Sequence, residues 1–473
     1  YIIILLMKNT KALVLVIALI LAAFFTGSMG ESLDFSIDFF ALVIIPAVVS
    51  KPYTIGSVDS YINNEKKEIF NQWFVGFSEG EGCFKIKPKY RAEKSKVHSF
   101  SFEFEIHLHL DDQNLLNHIC KTFGFGKVYL SEKSSSCRFV VGNEKGIRLL
   151  LEIFDKYKLN GIKFLDYVDF KKAFFLYFDR EGALTDEMRT EILELYEGIN
   201  TSRTSFDMPS DHEVKITPYW LLGLIEGEAS FYLTRDPIRP GFQILLTASQ
   251  LPLLVKIKEY LENNLGFDPY SLWQIKNSSV ISVSPKKAVG KSKPTVTFDI
   301  RDIRILHNYF IPYLNKLDFL SKKSLDFSDF KIICKAVYNG VHKNSDLKDL
   351  LVKLSHSMND FRLSNYKAEK IPKQIITKND IDMIESALPL SKHLPDGRVR
   401  DTETGNIDHN NESSVYHIIK PNKEELTVKS LKEAAETVGV HYSTLSKRLD
   451  VESSDFVLEI NQHFIKRIKV FYN

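Results

Sequence analysis

The sequence predicts an α+β protein whose two halves share one fold and are followed by a small helical module. First, the stretch WFVGFSEGEGCF at Trp73–Phe84 returns as WLLGLIEGEASF at Trp220–Phe231. Second, each copy is followed by patterns typical of two strands, a helix, two strands and a helix. Third, a repeat of roughly 150 residues is the usual size of one domain and too long for a solenoid unit. We therefore predict two pseudo-symmetric αββαββα domains, at residues 63–205 and 215–366.

The composition is that of a globular chain with large cores. Its 473 residues include 34 Phe and 20 Tyr and are 44% hydrophobic, enough for two or three domains. A net charge of +2 does not by itself indicate a polyanionic partner, so any basic surface must be local. The cysteines lack CxxC spacing, which argues against a zinc cluster or a disulfide framework. They are Cys83, Cys120, Cys137 and Cys334.

Residues 1–50 differ from the rest of the chain because they are apolar. Ala12–Gly30 is a run of 19 residues without charge, and Phe39–Val49 is a second apolar block. A secretory signal peptide is one interpretation, since two lysines precede the apolar run. We favour a membrane-protein segment translated from an upstream exon, because the chain is apolar from Tyr1 onward.

Two alternating strands are predicted after the first copy of the repeated stretch. The first places four cations on one face: Lys85, Lys87, Lys89 and Arg91. The second, SFSFEFEIHLHL, has an apolar side and a polar side that carries Glu103, Glu105, His107 and His109. Those four side chains could hold a metal ion, but the pattern is more typical of an exposed strand face.

The next segment, DDQNLLNHICKTFGF, predicts an amphipathic helix that begins at Asp111 or Asp112 and ends at Gly124. Short strands at 127–130 and 138–141 and a helix, EKGIRLLLEIFDKY, follow. The second half echoes these elements in GFQILLTASQLPLLVKIKEYLENNLGF and TVTFDIRDIRILHNYF. The two halves therefore share more than the short repeated stretch.

Each repeated stretch reads as a helix with a glycine pair on one face, Gly76 with Gly80 and Gly223 with Gly227. A glycine inside a helix costs about 1 kcal/mol relative to alanine. Glycines four residues apart allow another backbone to come very close, as in small-xxx-small packing. We therefore predict that the two helices pack against each other.

Both predicted helices end at a glutamate, Glu81 in the first half and Glu228 in the second. Their packing would bring two carboxylates together at the negative ends of two helices, an arrangement that repulsion and the helix dipoles oppose. A divalent cation removes the conflict, and Mg²⁺ is commonly bound by one or two carboxylates, water and phosphate oxygens. The duplication favours this interpretation over solvated helix ends.

The two stretches resemble the paired LAGLIDADG motifs of single-chain homing endonucleases, with Phe74–Gly82 and Leu221–Ala229 at the nine motif positions. The similarity covers roughly residues 71–367. It implies that each half curves a four-stranded sheet over DNA, forming a saddle, and that the motif helices form the interface. It also implies metal binding by Glu81 and Glu228, with the carbonyl groups of Gly80 and Gly227 near the metal ions.

The same resemblance implies one catalytic lysine in each half. Aligning IKFLDY with KKSLDF gives Lys163 and Lys323, with Lys322 as a rival in the second half. Two positions depart from the family pattern: Ser78 stands where an apolar residue is usual, and Ala229 replaces a glycine. We expect cleavage activity to be retained.

DNA recognition is expected on the polar faces of the two sheets. In the first half the four strand cations suit phosphates and guanine edges in a major groove. Glu103 and Glu105 on the neighbouring strand could accept hydrogen bonds from cytosine. The comparable positions in the second half are Tyr232, Thr234, Arg235, Arg239 and Gln243.

The carboxyl-terminal part predicts a polar linker at 367–412 and a module at 413–473. A first helix runs from Ser430 to near Val438, Gly439 makes the turn, and a second helix starts around Tyr442, which is a helix-turn-helix pattern. It resembles the modular DNA-binding repeat of nucleases, with SVYHIIK and HFIKRIKVFY as flanking strands; a generic helical hairpin is the alternative. The residues expected to contact DNA are Ser443, Thr444, Lys447 and Arg448.

The combined interpretation is a monomeric, Mg²⁺-dependent endonuclease that cuts both strands of a specific DNA site. The resemblance implies a mobile intron as the coding location, and the Phe-, Tyr-, Ile-, Lys- and Asn-rich usage is typical of AT-rich mitochondrial coding. One alternative is a maturase that binds group I intron RNA, alone or in addition to cutting DNA. Another is a regulatory DNA-binding protein, which would leave the paired glutamates without a purpose.

Overall fold

The computed structural model describes residues 55–90, 96–267, 281–288, 290, 292–366, 375–394, 399–408, 414–449, 451 and 456–469. The predicted apolar segment at residues 1–50 and the predicted DNA contact Arg91 lie outside the described residues. Residues 67–473 form one compact unit. No helix within the described ranges is long and apolar enough to cross a membrane.

The first half follows the predicted order αββαββα. Its elements are α1 (Ile55–Glu81), β1 (Gly82–Tyr90), β2 (Val97–His109), α2 (Gln113–Phe123), β3 (Lys127–Ser131), β4 (Ser136–Val141) and α3 (Glu144–Lys156). Two helices follow, α4 (Lys163–Phe178) and α5 (Asp186–Gly198). The strands form one antiparallel sheet in the order β1-β2-β4-β3.

The second half repeats this arrangement. It contains α6 (Pro218–Glu228), β5 (Ala229–Arg235), β6 (Ile238–Thr247), α7 (Leu251–Asn264), β7 (Ile281–Lys286) and β8 (Thr295–Ile300). Next comes α8, made of Ile303–Ile305, a π-helical turn Leu306–Phe310 and Ile311–Leu314, and then α9 (Lys323–Tyr338) and α10 (Ser345–Ser355). The sheet order β5-β6-β8-β7 matches that of the first half, so the predicted fold class is confirmed.

One face of the first sheet is buried under helices α3 and α4. On β2, alternation places Phe102 and Phe104 on the buried face. The ring of Phe102 lies 5.7 Å from that of Phe170 on α4, and the ring of Phe104 lies 5.6 Å from that of Phe154 on α3. The polar residues of β1 and β2 therefore point away from the core.

The segment predicted as a linker, residues 367–412, is partly folded, which corrects that prediction. It contains α11 (Lys378–Ser386) and the strands β9 (Ser391–His393), β10 (Val399–Asp401) and β11 (Ile407–Asp408). A capping box between Thr377 and Asp380 starts α11. Two contacts hold this helix against the rest of the protein. Ile384 is buried in the main core with 3% of its surface exposed, and Lys353 of α10 pairs with Asp380 at 2.7 Å.

The carboxyl-terminal module has its own core. Its elements are β12 (Ser414–Ile419), β13 (Glu425–Val428), α12 (Leu431–Val438), α13 (Tyr442–Arg448), β14 (Val457–Ile460) and β15 (His463–Lys469). Ser430 caps α12, and Gly439 ends it with a left-handed φ of 72°. Leu445 of α13 packs with Ile418 and Ile465 of the sheet. The two helices and the flanking strands lie where they were predicted; DNA binding by the module stays a prediction.

Candidate active site

The two motif helices, α1 and α6, touch backbone to backbone at their glycines. A Cβ atom built on Gly76 would lie 1.9 Å from the carbonyl oxygen of Trp220. The mirror contact is as close, since a Cβ on Gly223 would lie 2.0 Å from the carbonyl oxygen of Trp73. Only glycine fits at either position, which explains why both helices carry this costly residue.

The contact brings together the last residues of the two helices, Glu81 and Glu228. A Cβ on Gly80 would lie 2.8 Å from Cγ of Glu228, and one on Gly227 would lie 3.5 Å from Cγ of Glu81. Each carboxylate thus crosses over the glycine of the opposite helix. Burial raises the pKa of Glu81 to about 7, and repulsion from Glu228 adds to the rise. Burial also raises the pKa of Glu228, against the attraction of Lys163 and Lys323.

This pair of carboxylates suits a divalent cation. The two like charges are forced together, and neither carboxylate accepts a hydrogen bond from a described residue, so their lone pairs are available to an ion. Within the described ranges, no group of three or more His, Cys, Asp or Glu side chains is arranged to hold a metal ion. Further ligands would therefore have to be carbonyl, water or phosphate oxygens.

The predicted lysines lie at the ends of the motif helices. Lys163 Nζ donates to the carbonyl oxygens of Gly80 at 2.8 Å and Gly82 at 2.5 Å. Lys323 Nζ donates to the carbonyl oxygen of Ala229. Burial lowers the pKa of both lysines. The carbonyl of Gly80, expected near a metal ion, is thus hydrogen-bonded to Lys163 in this structure.

Lys322, the alternative to Lys323 as the catalytic lysine of the second half, contacts different residues. Its Nζ lies 3.3 Å from Oδ2 of Asp111, in the turn after β2. Glu81 and Glu228 act electrostatically on Lys323, as they do on Lys163. The structure therefore favours Lys323 as the partner of Lys163.

The earlier acid of each motif, Glu79 or Glu226, holds the loop that precedes the lysine. Glu79 accepts hydrogen bonds from the backbone N–H of Asn160 at 2.8 Å and of Gly161 at 3.1 Å. Glu226 accepts from those of Leu320 at 3.0 Å and Ser321 at 2.5 Å. Sequence reasoning missed this role, although the two acids occupy equivalent positions of the repeat.

A single tryptophan hydrogen bond crosses the interface. Trp73 Nε1 donates to Oε1 of Glu226 at 2.8 Å. The equivalent indole nitrogen, Nε1 of Trp220, is buried and has no hydrogen-bond partner among the described residues. The pseudo-twofold symmetry of the interface is therefore broken at these residues.

An arginine in each half fixes the helix that begins with the lysine. Arg203 Nε donates to Asp166 of α4 at 2.7 Å, and Arg362 Nε donates to Asp326 of α9 at 2.7 Å. Each arginine also pairs with the next acid on the same helix, Asp169 or Asp329. These contacts were not predicted because the arginines lie outside the aligned motifs.

The repeat also includes an asparagine shortly before each arginine. Asn200 and Asn359 have left-handed φ values of 57° and 55°. Their Nδ2 atoms donate to the carbonyl oxygens of Phe84 and Phe231, each at 2.8 Å. The asparagines thereby tie the chain to the strands that leave the motif helices, β1 and β5.

The polar face of the first sheet carries pairs of opposite charges rather than a row of free cations. Lys85 lies 2.7 Å and Arg138 3.3 Å from the carboxylate of Glu105, and Lys87 pairs with Glu103. Lys89 is exposed on the same face. Both acids are thus paired with cations, which argues against the alternative that Glu103, Glu105, His107 and His109 hold a metal ion; Glu105, expected to be exposed, is only 5% exposed.

The corresponding face of the second sheet is less charged. The ring of Tyr232 covers Gly241, its partner on β6, and its hydroxyl donates to Asp299 at 3.3 Å. Thr234 Oγ1 donates to the carbonyl oxygen of Arg239 at 2.9 Å. The other predicted contacts are Arg235 and Arg239, both exposed, and Gln243, which is partly exposed.

Helix α13 presents the predicted contacts of the carboxyl-terminal module. Thr444, Lys447 and Arg448 are exposed. Ser443 Oγ lies 2.7 Å from Nδ1 of His441, the residue that caps the helix. The short helix α13 therefore offers two cations and a hydroxyl to a binding partner.

Comparisons with known proteins cover the two halves. A family model described as LAGLIDADG endonuclease matches residues 74–174 and 221–334. The probable intron-encoded endonuclease Cox1-I1b of Schizosaccharomyces pombe is 32% identical over 214 residues, which are 43% of this chain and 52% of that protein. The uncharacterized mitochondrial protein RF1 of Saccharomyces cerevisiae is 24% identical over 318 residues, 65% of this chain and 64% of that protein. The chain thus spans between half and two thirds of these relatives.

Solved structures share the fold. The LAGLIDADG homing endonuclease I-LtrWI, bound to target DNA, has a TM-score of 0.53 at 23% identity and covers 63% of this chain and 99% of its own. The meganuclease I-SmaMI, bound to uncleaveable DNA, has a TM-score of 0.52 at 21% identity and covers 62% of this chain and 98% of its own. At these identities the likeness establishes the architecture of the two halves.

Proposed function

The chain belongs to the LAGLIDADG endonuclease family, and on that premise we propose that it is an intron-encoded homing endonuclease that cuts both strands of a specific DNA site. The observation that carries the proposal is the pair Glu81 and Glu228, which meet where α1 and α6 pack so closely that a Cβ atom on Gly76 or Gly223 would lie only 1.9 or 2.0 Å from a carbonyl oxygen of the opposite helix. A scaffold that only bound nucleic acid would gain nothing from two half-buried, mutually repelling carboxylates. A metal-dependent nuclease needs them.

The cofactor of this reaction is a divalent cation, and Mg²⁺ is the ion that the oxygen ligands favour. Glu81 and Glu228 would hold it, and it would supply positive charge that activates water and offsets charge developing on the scissile phosphate. Lys163 and Lys323 place further positive charge at the two helix ends, one for each strand. Glu79 and Glu226 keep the lysine-bearing loops in place through backbone hydrogen bonds.

The partner of the saddle is double-stranded DNA. Both motifs belong to one chain, so a monomer supplies both carboxylates and can read a site whose two halves differ. The first sheet offers Lys85, Lys87, Lys89 and Arg138, and the second offers Arg235 and Arg239 together with hydroxyl and amide groups. The exposed cations of α13, Lys447 and Arg448, would contact DNA outside this central site.

A mitochondrial location is part of the proposal. It is supported by the relationship to RF1, which is named a mitochondrial protein, and to probable intron-encoded endonucleases of fungi. The amino-acid usage, rich in Phe, Tyr, Ile, Lys and Asn, is in keeping with AT-rich coding.

The test is a cleavage assay with the full chain and a duplex that spans the intron-free junction of its host gene. With Mg²⁺ the protein should cut both strands, and chelation of the ion should stop the reaction. Glu81→Gln and Glu228→Gln should abolish cleavage while retaining DNA affinity. Glu385→Gln, an exposed acid on α11, is the matched control and should cut normally.

Two outcomes would contradict the proposal. Cleavage by the Glu81→Gln, Glu228→Gln double variant at the normal rate would mean that the chemistry lies elsewhere. Intact DNA, together with tight and specific binding of the intron RNA, would instead identify the protein as a maturase.

A further inference from the structure

A short segment with the pattern Asn-x-x-Arg occurs in each half, after α5 in the first and after α10 in the second. It reads NTSR at Asn200–Arg203 and NDFR at Asn359–Arg362. Both copies lie outside the ranges 74–174 and 221–334 that the LAGLIDADG endonuclease model matches. The same two polar residues at the same spacing indicate that each half uses them in the same way.

The asparagine attaches this segment to the strand that leaves the motif helix. Asn200 Nδ2 donates to the carbonyl oxygen of Phe84 at 2.8 Å. Asn359 Nδ2 makes the equivalent bond to Phe231, also at 2.8 Å. Each phenylalanine stands three residues after the glutamate that ends its motif helix. One end of the Asn-x-x-Arg segment is therefore fixed close to the candidate metal ligand of the same half.

The arginine attaches the same segment to the helix that begins with the lysine. Arg203 Nε donates to Asp166 at 2.7 Å, and its Nη2 donates to Asp169. The two acids stand three and six residues after Lys163, so they lie on consecutive turns of one face of α4. The backbone N–H of Asn200 also donates to Asp166, at 3.0 Å. The first two turns of α4 are thus bonded to the Asn-x-x-Arg segment.

The second half repeats this attachment. Arg362 Nε donates to Asp326 at 2.7 Å, and its Nη2 donates to Asp329 at 2.5 Å. These acids stand three and six residues after Lys323, the residue that begins α9. In both halves the lysine therefore begins a helix that the Asn-x-x-Arg segment joins to the strand following the motif helix.

Both arginines are engaged within the protein, which argues against a direct contact with DNA. The side chain of Arg203 is 12% exposed, and that of Asp166 is 13% exposed. Arg362 borders the cleft of the candidate active site, but its Nε and Nη2 are held by Asp326 and Asp329. A planar guanidinium can bond to two carboxylates at once, so an arginine is suited to joining two turns of a helix to another segment.

The lysines close a circuit of contacts. Lys163 Nζ donates to the carbonyl oxygens of Gly80 and Gly82, at the end of α1. Contacts therefore lead from the end of α1 along β1 to the Asn-x-x-Arg segment, then to α4 and back to the end of α1. In the second half, Lys323 closes the same circuit on the carbonyl oxygen of Ala229, directly after α6. Such a circuit fixes each lysine relative to the glutamate that ends the motif helix.

We propose that Arg203 and Arg362 are positioning residues, which hold Lys163 and Lys323 at the places that cleavage requires. The proposal rests on the proposed nuclease function and deepens it. Each arginine acts through the lysine of its own half, and the asparagine of the same segment supports it by fixing the segment to β1 or β5. Loss of an arginine therefore matters for cleavage only while its lysine is present.

A double-mutant cycle tests this inference, with the full chain, Mg²⁺ and the intron-free junction duplex under single-turnover conditions. Arg203→Met should slow cleavage about 10- to 100-fold, as expected when a catalytic group is displaced by about 1 Å or less. In the Lys163→Met background the same substitution should change the rate by less than about twofold, because the group that it positions is gone. Lys172→Met, which removes an exposed ion pair between α4 and α5, is the matched control and should cut normally.

Asn200→Gly is a milder variant that leaves the arginine in place. Glycine adopts the left-handed φ of 57° without strain, so the fold is kept while the bond to Phe84 is lost. Cleavage should slow about 3- to 10-fold, as expected for the loss of one hydrogen bond, and again by less than about twofold in the Lys163→Met background. This variant decides the matter if Arg203→Met does not fold. Arg362→Met, Asn359→Gly and Lys323→Met form the same set in the second half.

Losses of rate that disappear when the lysine is absent, with DNA affinity unchanged, are the supporting result. Equal losses with and without Lys163, or no loss at all, would assign Arg203 a merely structural role. Weaker DNA binding with a smaller dependence on salt would instead assign it a phosphate contact. Each of these results would overturn the inference and leave the nuclease function standing. An intact duplex with the unaltered protein would overturn the nuclease function itself, and the inference with it.

Discussion

Gly76 faces the backbone of Trp220 so closely that a methyl group at Gly76 would lie 1.9 Å from the Trp220 carbonyl oxygen. The obstacle is backbone in the first turn of α6, which cannot move aside as the end of a flexible side chain could. The contact sets the distance between the two motif helices, and through it the distance between Glu81 and Glu228.

Gly76→Ala should therefore destabilise the protein severely. Pushing the helices apart would disturb a closely packed interface, at a cost of about 3 kcal/mol or more in the free energy of unfolding. Denaturant unfolding measures the change. Gly198→Ala is the matched control, because a Cβ there meets nothing within 4 Å and should change stability by at most about 1 kcal/mol. Equal midpoints for the two variants would refute the interpretation.

Glu81→Gln should make the protein more stable at alkaline pH while removing its activity. The pKa of Glu81 is raised from 4.5 to about 7, so the folded state holds this proton more tightly than the unfolded state. The free energy of unfolding of the unaltered protein therefore falls as pH rises from 4.5 to 7. In a chelator, the variant should gain about 1–3 kcal/mol above pH 7 and nothing below pH 4.5. A gain that does not depend on pH would contradict this account.

Lys323→Met should reduce cleavage far more than Lys322→Met. Lys323 Nζ bonds to the end of α6 and faces both carboxylates, whereas Lys322 pairs with Asp111. Loss of a positive group that stabilises the reacting phosphate costs about 100-fold or more in rate. Loss of Lys322 should cost less than about fivefold, as for a surface ion pair. Reversed losses in single-turnover assays would assign the catalytic role to Lys322.

Glu105→Gln should weaken discrimination between DNA sequences more than it weakens affinity. Although burial acts in the opposite direction, the hydrogen bond and charge of Lys85 and the charge of Arg138 hold the pKa of Glu105 below its ordinary value. The ionised carboxylate fixes both cations on the polar face of the sheet. Competition binding between target and mismatched duplexes measures the effect. Glu103→Gln, which frees only Lys87, should give a smaller loss, and an equal loss would count against a special role for Glu105.

Lys447→Ala and Arg448→Ala should each weaken DNA binding uniformly across sequences. If each side chain contacts a phosphate, its removal should lower the slope of log affinity against log salt by about 0.9. Lys432→Ala, on the exposed side of α12, is the control. Unchanged slopes for the α13 variants, measured over a range of salt concentrations, would leave the module without a DNA-binding role.

The parts of this molecule that could be predicted from its sequence are those with local signals. Ser430 and Gly439 mark the ends of α12 because capping depends on residues within one turn. The ends of α1 and α6 at Glu81 and Glu228 followed from the duplicated stretch. The sites expected to bind metal and DNA stay predictions.

The contacts that sequence reasoning missed join residues far apart in the chain. Glu79 binds Asn160, and Arg362 binds Asp326, through side-chain directions that only the folded backbone defines. Strand alternation gave the polar face of β1 but not the diagonal pairing of Lys85 with Glu105. The capping box of α11 was present in the sequence as TKND but was masked by the polar composition around it.

The two motif tryptophans differ, since Trp73 is bonded to Glu226 whereas Trp220 Nε1 has no hydrogen-bond partner in the described part of the chain, and this difference bears on the reuse of the fold. Two identical halves would have two identical bonds or none, so the halves of this chain are not interchangeable at this contact. Chimeras in which one half is replaced by that of a related protein should therefore keep Trp73 and Glu226 together. Chimeras that lack either residue should lose the hydrogen bond that matches the two halves to each other.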